Sequence, residues 1–484
     1  MMKRLGRDVL IYGGVDFVFK LLQFALIPIY TAYLSVGEFG ILALLQVSAL
    51  LIGAFANLGV NYAVQRYYFD DTVPADRRPA LVSTGLFQLA ATVTASLFLI
   101  ALIGAAFRDS LAADYGIGWP LAAVALAVIL PDQLAQYTLD TARLQFAPAR
   151  FCVIALIKNV LGLLIGAWLL VEAHLGLMGL LVGNLIGAWL ALPVGLFLIR
   201  HLLTWEFRRQ HAGELLRFGS PFVLTAAAFW LFSSLDRWML ARLANTVEVG
   251  LFSIAFKFAS VMTLLSGAFQ QAWGPTALRM AQEDPGHRDA FARILSLWLF
   301  LLGIIALALA LFAAEVLMVL TPTSYWPAAP VLALGAAALV FSGTTQITVI
   351  GLTLEKRTRR IAAAAWLTAA VNIILNLLLI PRLGASGAAI ATVVSSAFLT
   401  ILYLVWSQRF YPLPLERGPL AYGLFVVAVA MVAPHLALGE ALSPAAIALK
   451  SALLLGAVAG AIPAGILDAR HIRGWARGLG WRAG

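Results

Sequence analysis

Apolar runs of about 20 residues, the length needed to cross the hydrocarbon core of a bilayer, follow one another along almost the whole chain. They fall near 9–34, 41–65, 80–107, 119–142, 151–172, 176–199, 219–241, 250–277, 291–314, 328–354, 361–381, 385–407, 418–434 and 445–467. Lipid supplies no hydrogen bonds to exposed backbone, so such runs must be helices packed against one another. Composition agrees: 62% of the 484 residues are hydrophobic and 12% are charged, against about 25% charged in a soluble domain. The expected fold is an all-α polytopic membrane protein with about fourteen transmembrane helices.

The basic residues test the alternation of these runs. With the N-terminus inside, 25 of the 33 Lys and Arg residues fall in inner segments, three in outer segments and five within spans. This asymmetry predicts cytoplasmic N- and C-termini and an even number of spans. The net charge of +10 is therefore chiefly a topology signal, with some attraction to anionic bilayer lipids. Its dispersal over many connections gives no nucleic-acid surface. The basic N-terminus MMKRLGRD runs directly into the first apolar stretch without a small-residue cleavage site, which predicts a retained span and not a cleaved signal.

Two similarities recur at nearly equal offsets. Glu38-Phe39-Gly40-Ile41 resembles Glu248-Val249-Gly250-Leu251, and Gly176-x-x-Gly179 resembles Gly384-x-x-Gly387. They suggest two six-helix lobes of one orientation, related by an axis along the membrane normal. The expected organisation is an N-terminal lobe over 1–200, a basic cytoplasmic linker over 201–217, a C-terminal lobe over 218–410, and accessory helices with a basic tail over 411–484. A central cavity would lie between the lobes.

Charges inside spans are the leading functional candidates, because each costs roughly 2.5–3.5 kcal/mol at a helix centre. Asp16 and Lys20 lie four apart and either pair with each other or face a cavity. Asp236 and Arg237 are adjacent and project in different directions, with Lys257 on the following span. A structural network and a cavity lining are equally compatible with these three. Arg66 is either a positive-inside anchor or a phosphate ligand, since its planar fork donates two parallel hydrogen bonds. Asp132 follows Pro131, where a kink frees a backbone carbonyl; a coupling-ion site and a solvated hinge both fit. Lys158 is a further cationic cavity candidate. Lys450 lies in the accessory pair, where its stem is expected to snorkel toward the interface.

Amides form a second group. Gln270 and Gln271, with Trp273, and Asn372 and Asn376 are suited to sugar hydroxyls or to helix–helix hydrogen bonds, and packing is the expected role for the asparagines. The single cysteine, Cys152, excludes an intramolecular disulfide. No metal-ligand spacing, phosphate-binding loop or nucleophile–base set occurs, and the chain offers no catalytic residues and no cofactor motif. An enzyme is not expected.

The stretch Asn372 to Thr392, NIILNLLLIPRLGASGAAIAT, joins these observations. Asn372 and Asn376 share a helical face, Pro381 ends that helix, and Gly384 and Gly387 shape the turn into the next. Together with Phe55-Ala-Asn-Leu-Gly-Val-Asn-Tyr-Ala-Val-Gln-Arg66, Ser220-Pro221, Asp236-Arg237, the Gly250 to Lys257 segment and Trp273-Gly-Pro275, it resembles bacterial oligosaccharide and polysaccharide flippases. These belong to the MATE-like multidrug/oligosaccharidyl-lipid/polysaccharide exporter superfamily. Asn57 stands where relatives often carry an acid. The resemblance implies translocation of a lipid-linked oligosaccharide, on an undecaprenyl pyrophosphate carrier, across the bacterial inner membrane. It would serve O-antigen, capsule or exopolysaccharide synthesis, with a polysaccharide polymerase and other assembly proteins as possible partners. Under it Lys20, Arg66, Lys158, Arg237 and Lys257 become headgroup candidates, and Asp16, Asp132 and Asp236 coupling or charge-network candidates. The alternatives are a Na⁺- or H⁺-coupled exporter of small molecules and a non-transporting scaffold of an assembly complex.

Overall fold

The computed structural model describes residues 14, 17–70, 74–435 and 442–466. Asp16 lies outside the described residues, as do the N-terminal and C-terminal basic clusters. Regular structure among the described residues is helical throughout, with no strand. The chain divides into two compact units, Met1–Gly250 and Leu251–Gly484.

The first unit begins with α1 (Phe17–Tyr33), α2 (Val36–Asn57) and α3 (Val60–Tyr68). Next come α4 (Arg78–Ala106), the short α5 (Arg108–Tyr115) and α6 (Trp119–Leu144). It continues with α7 (Pro148–Val171), α8 (Gly176–Leu198), α9 (Arg209–Leu243) and the first residues of α10 (Thr246–Ala259). Helix α2 starts at a capping box: the Ser35 hydroxyl accepts from the Glu38 amide at 3.2 Å, and the Glu38 carboxylate accepts from the Ser35 amide at 2.8 Å. This satisfies two amides that the first turn leaves without partners. Asn245 does the same for the Glu248 amide at 3.0 Å at the start of α10, so the two repeated Glu-x-Gly segments begin their helices alike.

The expected second span is broken. Leu58 (φ 48°) and Gly59 (φ 71°) are both left-handed, and they separate α2 from α3. Around the break Val60, Val64, Leu81, Leu89, Ile129 and Tyr137 are buried in one apolar cluster, and the Tyr137 hydroxyl donates to the Val82 carbonyl at 2.7 Å. Large apolar side chains on the outward faces are bare, Phe98 at 73% and Leu102 at 62% exposure. Such faces suit lipid and not water.

The second unit contains α11 (Val261–Glu283), α12 (His287–Leu311), α13 (Ala313–Leu320), α14 (Ala329–Thr348) and α15 (Ile350–Leu354). It ends with α16 (Thr358–Phe410), α17 (Arg417–Val432) and α18 (Pro444–Ala459). Helices α10 and α11 meet at a 49° bend. There the Ser260 hydroxyl donates to the Lys257 carbonyl and the Thr263 hydroxyl to the Ser260 carbonyl, each at 2.6 Å. Hydroxyls that capture helix carbonyls in this way bend the chain. Helix α16 is two helices joined at Gly384, whose φ of 54° and ψ of −131° no helix contains. The turn was expected at Gly384, but with the first helix ending already at Pro381. Helical geometry persists past it, because proline removes an amide and crowds the preceding turn without forbidding the residues that follow. Glycine is what permits the positive φ. Within the first of the two helices the buried Asn376 amide donates to Asn372 at 2.9 Å.

By length and apolarity, eight described helices can cross a bilayer, or nine with the bent α10–α11 pair taken as one. The expected fourteen is an approximate count: α16 passes as a single helix although it holds two, and α1, α17 and α18 are apolar but shorter.

Lys450 does not snorkel. Its ammonium lies 2.5 Å from Glu315 of α13, and both residues are more than 90% buried. A buried carboxylate within reach makes pairing more favourable than extension to the interface. Removing one partner strands the other charge, so Lys450→Ala should destabilise the protein by about 3–5 kcal/mol. Lys450→Met with Glu315→Leu should recover most of that loss. Thermal unfolding in detergent, with abundance measured in the same membranes, checks both outcomes.

Candidate functional site

Helix α6 is otherwise apolar through its middle, yet it carries Asp132, Gln136 and Asp140 at intervals of four residues, with Gln133 beside them. That spacing places the three on one face. The face opens on a cavity of about 810 Å³ whose lining comes entirely from the first unit.

Helix α7 supplies the cation. Its turn Leu156–Leu161 is π-helical, a local widening that shifts side chains out of the regular register and is frequent at functional sites. Lys158 lies in it and reaches Asp132 at 3.0 Å and donates to the Gln136 side-chain Oε1 at 3.0 Å, with its side chain 9% exposed. Close packing holds this wall. Gly162 and Gly166 of α7 face Gly183 and Gly187 of α8, and a Cβ on Gly187 would meet the Lys158 carbonyl oxygen at 2.9 Å. Two glycines four apart on each helix allow the backbones to touch, a lipid-phase packing device. The crossing sets Asn184 of α8 beside Lys158 and Asn159 in the lining.

The third wall comes from the α2–α3 break. Asn57 precedes it and Asn61 follows it. The Asn57 amide donates to Asn61 at 3.1 Å and to Gln133 at 3.3 Å. The Asn61 amide donates to Asp140 at 2.7 Å, and the Gln136 amide donates to the other Asp140 oxygen at 3.1 Å. The polar chain thus runs without interruption from Gln133 through Asn57, Asn61, Asp140, Gln136 and Lys158 to Asp132. Along it Asp140 accepts from two side-chain amides, Asn61 and Gln136, and Asp132 pairs with the Lys158 ammonium. Tyr62 and Phe222, stacked at 5.3 Å between centroids, also line the cavity. Its ionisable side chains balance: Asp132 and Asp140 against Arg143 and Lys158.

Of the residues singled out in the sequence, the structure brings Asp132 and Lys158 together in this cavity. Lys20 lies exposed on α1, and Gln23 of that helix is the residue that lines the cavity. Arg66 pairs with Asp70 at 2.9 Å, its side chain 57% exposed. On α9 Asp236 is buried, and Arg237 donates to the Ser233 carbonyl at 3.3 Å; the α9 residues lining the cavity are Phe222, Val223 and Ala226. Lys257 belongs to the second unit and is half-buried. There too Trp273 is buried and donates to the Gln346 carbonyl at 3.1 Å. Sequence reasoning passed over Asn61, Gln133, Gln136 and Asp140. The four-residue spacing on α6 from Asp132 could have found two of these, Gln136 and Asp140; the π-helical turn has no comparable signal.

If the cavity is hydrated, a thiol within it reacts and one facing lipid does not, because the thiolate is the nucleophile. In a Cys152→Ala background, Gln133→Cys should react with a charged methanethiosulfonate about tenfold faster than Leu378→Cys, a position 60% exposed on the apolar exterior. Equal rates, read by mass shift in native membranes, would contradict a water-filled site.

The profile of a family described as polysaccharide biosynthesis protein matches residues 32–330. No curated protein sequence matches the chain. Among solved structures, a lipid II flippase, MurJ, in an inward closed conformation aligns with a TM-score of 0.69 at 14% identity, over 93% of this chain and 98% of that one. An inward-facing multidrug resistance MATE family transporter of the MOP superfamily aligns at 0.54 with 12% identity, over 84% of this chain and 97% of that one. The Vibrio cholerae MATE transporter VcmN, in a mutant form, aligns at 0.51 with 16% identity, over 84% and 96%. These likenesses are of fold. The family match covers more than half of the 484 residues: the chain is a multi-pass membrane protein that belongs to the polysaccharide biosynthesis protein family and has the fold of the MATE-like exporters.

Proposed function

We propose that this protein is a flippase that carries a lipid-linked oligosaccharide across the bacterial inner membrane, with both termini cytoplasmic. The observation that carries the reading is a large polar cavity built inside an apolar helical unit, in a chain of a polysaccharide biosynthesis family. A polar cavity at membrane depth needs a polar occupant to justify its cost. A glycan on a lipid carrier is such an occupant: the sugar enters the cavity while the lipid tail stays in the bilayer.

The mechanism is alternating access, with the six-helix halves 1–200 and 218–410 as the moving bodies. The carrier is undecaprenyl pyrophosphate, and Lys20, Arg66, Lys158, Arg237 and Lys257 are the candidate cations for its headgroup. Arginine is suited to this task because its planar fork matches phosphate. No step needs a cofactor or covalent chemistry.

A second reading has one supporting observation. Asp132 and Asp140 place two carboxylates in the cavity, the residue type that an exporter of small organic cations requires. Vesicles containing the purified protein separate the readings. A fluorescent undecaprenyl pyrophosphate oligosaccharide should move between leaflets at least about tenfold faster than in protein-free vesicles, whose polar headgroups barely cross. Arg237→Lys should keep part of that rate, Arg237→Ala should lose most of it, and Arg237→Glu should lose more. Expulsion of a cationic dye along a Na⁺ or proton gradient, with the glycolipid left in place, would replace the flippase reading by the exporter. Activity toward neither would leave a scaffold.

A further inference from the structure

We propose that the cavity of the first unit is a binding site for the saccharide and that it selects an uncharged glycan. The proposal rests on the flippase reading for its substrate class. Its basis is the chemistry of the lining.

Five glutamines and four asparagines face the cavity. A carboxamide carries two N–H donors and an acceptor oxygen. A sugar hydroxyl is also donor and acceptor, so an amide wall pairs with hydroxyls at many angles without imposing charge. Exposed amides remain for this role after the internal network is counted. Gln46 and Gln65 are both solvent-accessible in the lining. Tyr62 is 61% exposed and Phe222 39%; their stack offers a flat apolar face of the kind that packs on the C–H face of a pyranose ring.

The charges work by exclusion. Lys158 already engages Asp132 and Gln136. Arg143 lies over the Phe151 ring with its guanidinium carbon 4.5 Å from the centroid. Asp132 and Asp140 face the same space. A uronate or sialate entering it would approach two carboxylates and compete with Asp132 for Lys158. Neutral sugars meet no such opposition, and repulsion of the wrong ligand is a common source of specificity.

Two free tetrasaccharides of equal length test this: neutral maltotetraose and anionic tetragalacturonate. Binding to the full-length protein in lipid nanodiscs is followed by ligand-observed saturation-transfer NMR. Maltotetraose should bind about tenfold more tightly than tetragalacturonate, the discrimination expected of a repulsive contact. Gln46→Ala and Gln65→Ala, exposed positions where folding should tolerate the change, should each weaken maltotetraose. Asp132→Asn, which leaves the Lys158 charge without its carboxylate, should shift preference toward tetragalacturonate. Equal or tighter binding of tetragalacturonate by the unaltered protein overturns the selectivity. Maltotetraose binding that the glutamine variants leave unchanged, or no binding of either sugar, overturns the assignment of the site. The measurement asks nothing of transport, so these failures are distinct from failure of the vesicle assay.

Discussion

A charge or amide inside an apolar helix bundle must be given partners or water. That constraint organises the first unit. The link between Lys158 and Asp132, 3.0 Å long, sits at one end of a chain of side-chain hydrogen bonds that leaves both cavity carboxylates held. Partly satisfied networks are costly at low dielectric, and fully connected ones rigidify the structure around them. The backbone departures of the unit serve the same end: the left-handed residues after Asn57, the π-helical turn at Lys158, and the glycine crossing of α7 with α8. Each turns a polar side chain toward the space inside.

The second unit meets the constraint in the opposite way. Glu315 and Lys450 are paired with each other and buried, and Asn372 and Asn376 bond to each other. The ion pair joins α13 to α18, and the asparagine bond lies within one helix. In the first unit the polar side chains line a volume large enough for several sugar rings. The contrast places polar residues of similar cost in a closed pair in one unit and around an open cavity in the other.

Much of the fold was legible before the structure. Apolar runs of bilayer length fix helices as the only regular element, and the Gly384 turn is visible as a sequence break, whereas the break at Leu58-Gly59 lies inside the span expected over 41–65. Asp132 and Lys158 stood out as charges within spans. What could not be read was who pairs with whom. Asp132 lies 26 positions before Lys158, and only the α6–α7 packing joins them. The amides were overlooked because Asn and Gln in lipid-phase helices serve packing as readily as binding, and a single residue does not say which. Lys450 was misjudged for a related reason: its partner Glu315 is remote in sequence, and snorkelling is the default only where no carboxylate is near.

The account stands on the polar cavity of the first unit being the place where the saccharide of a lipid carrier is held. A cryo-electron microscopy structure in nanodiscs with an undecaprenyl pyrophosphate oligosaccharide tests that most directly. The account predicts sugar density within hydrogen-bond reach of the Gln46, Gln65 and Asn184 side chains, with the lipid tail outside the unit. Sugar density elsewhere in the protein, with this cavity closed by its own side chains or filled by an acyl chain, would contradict it.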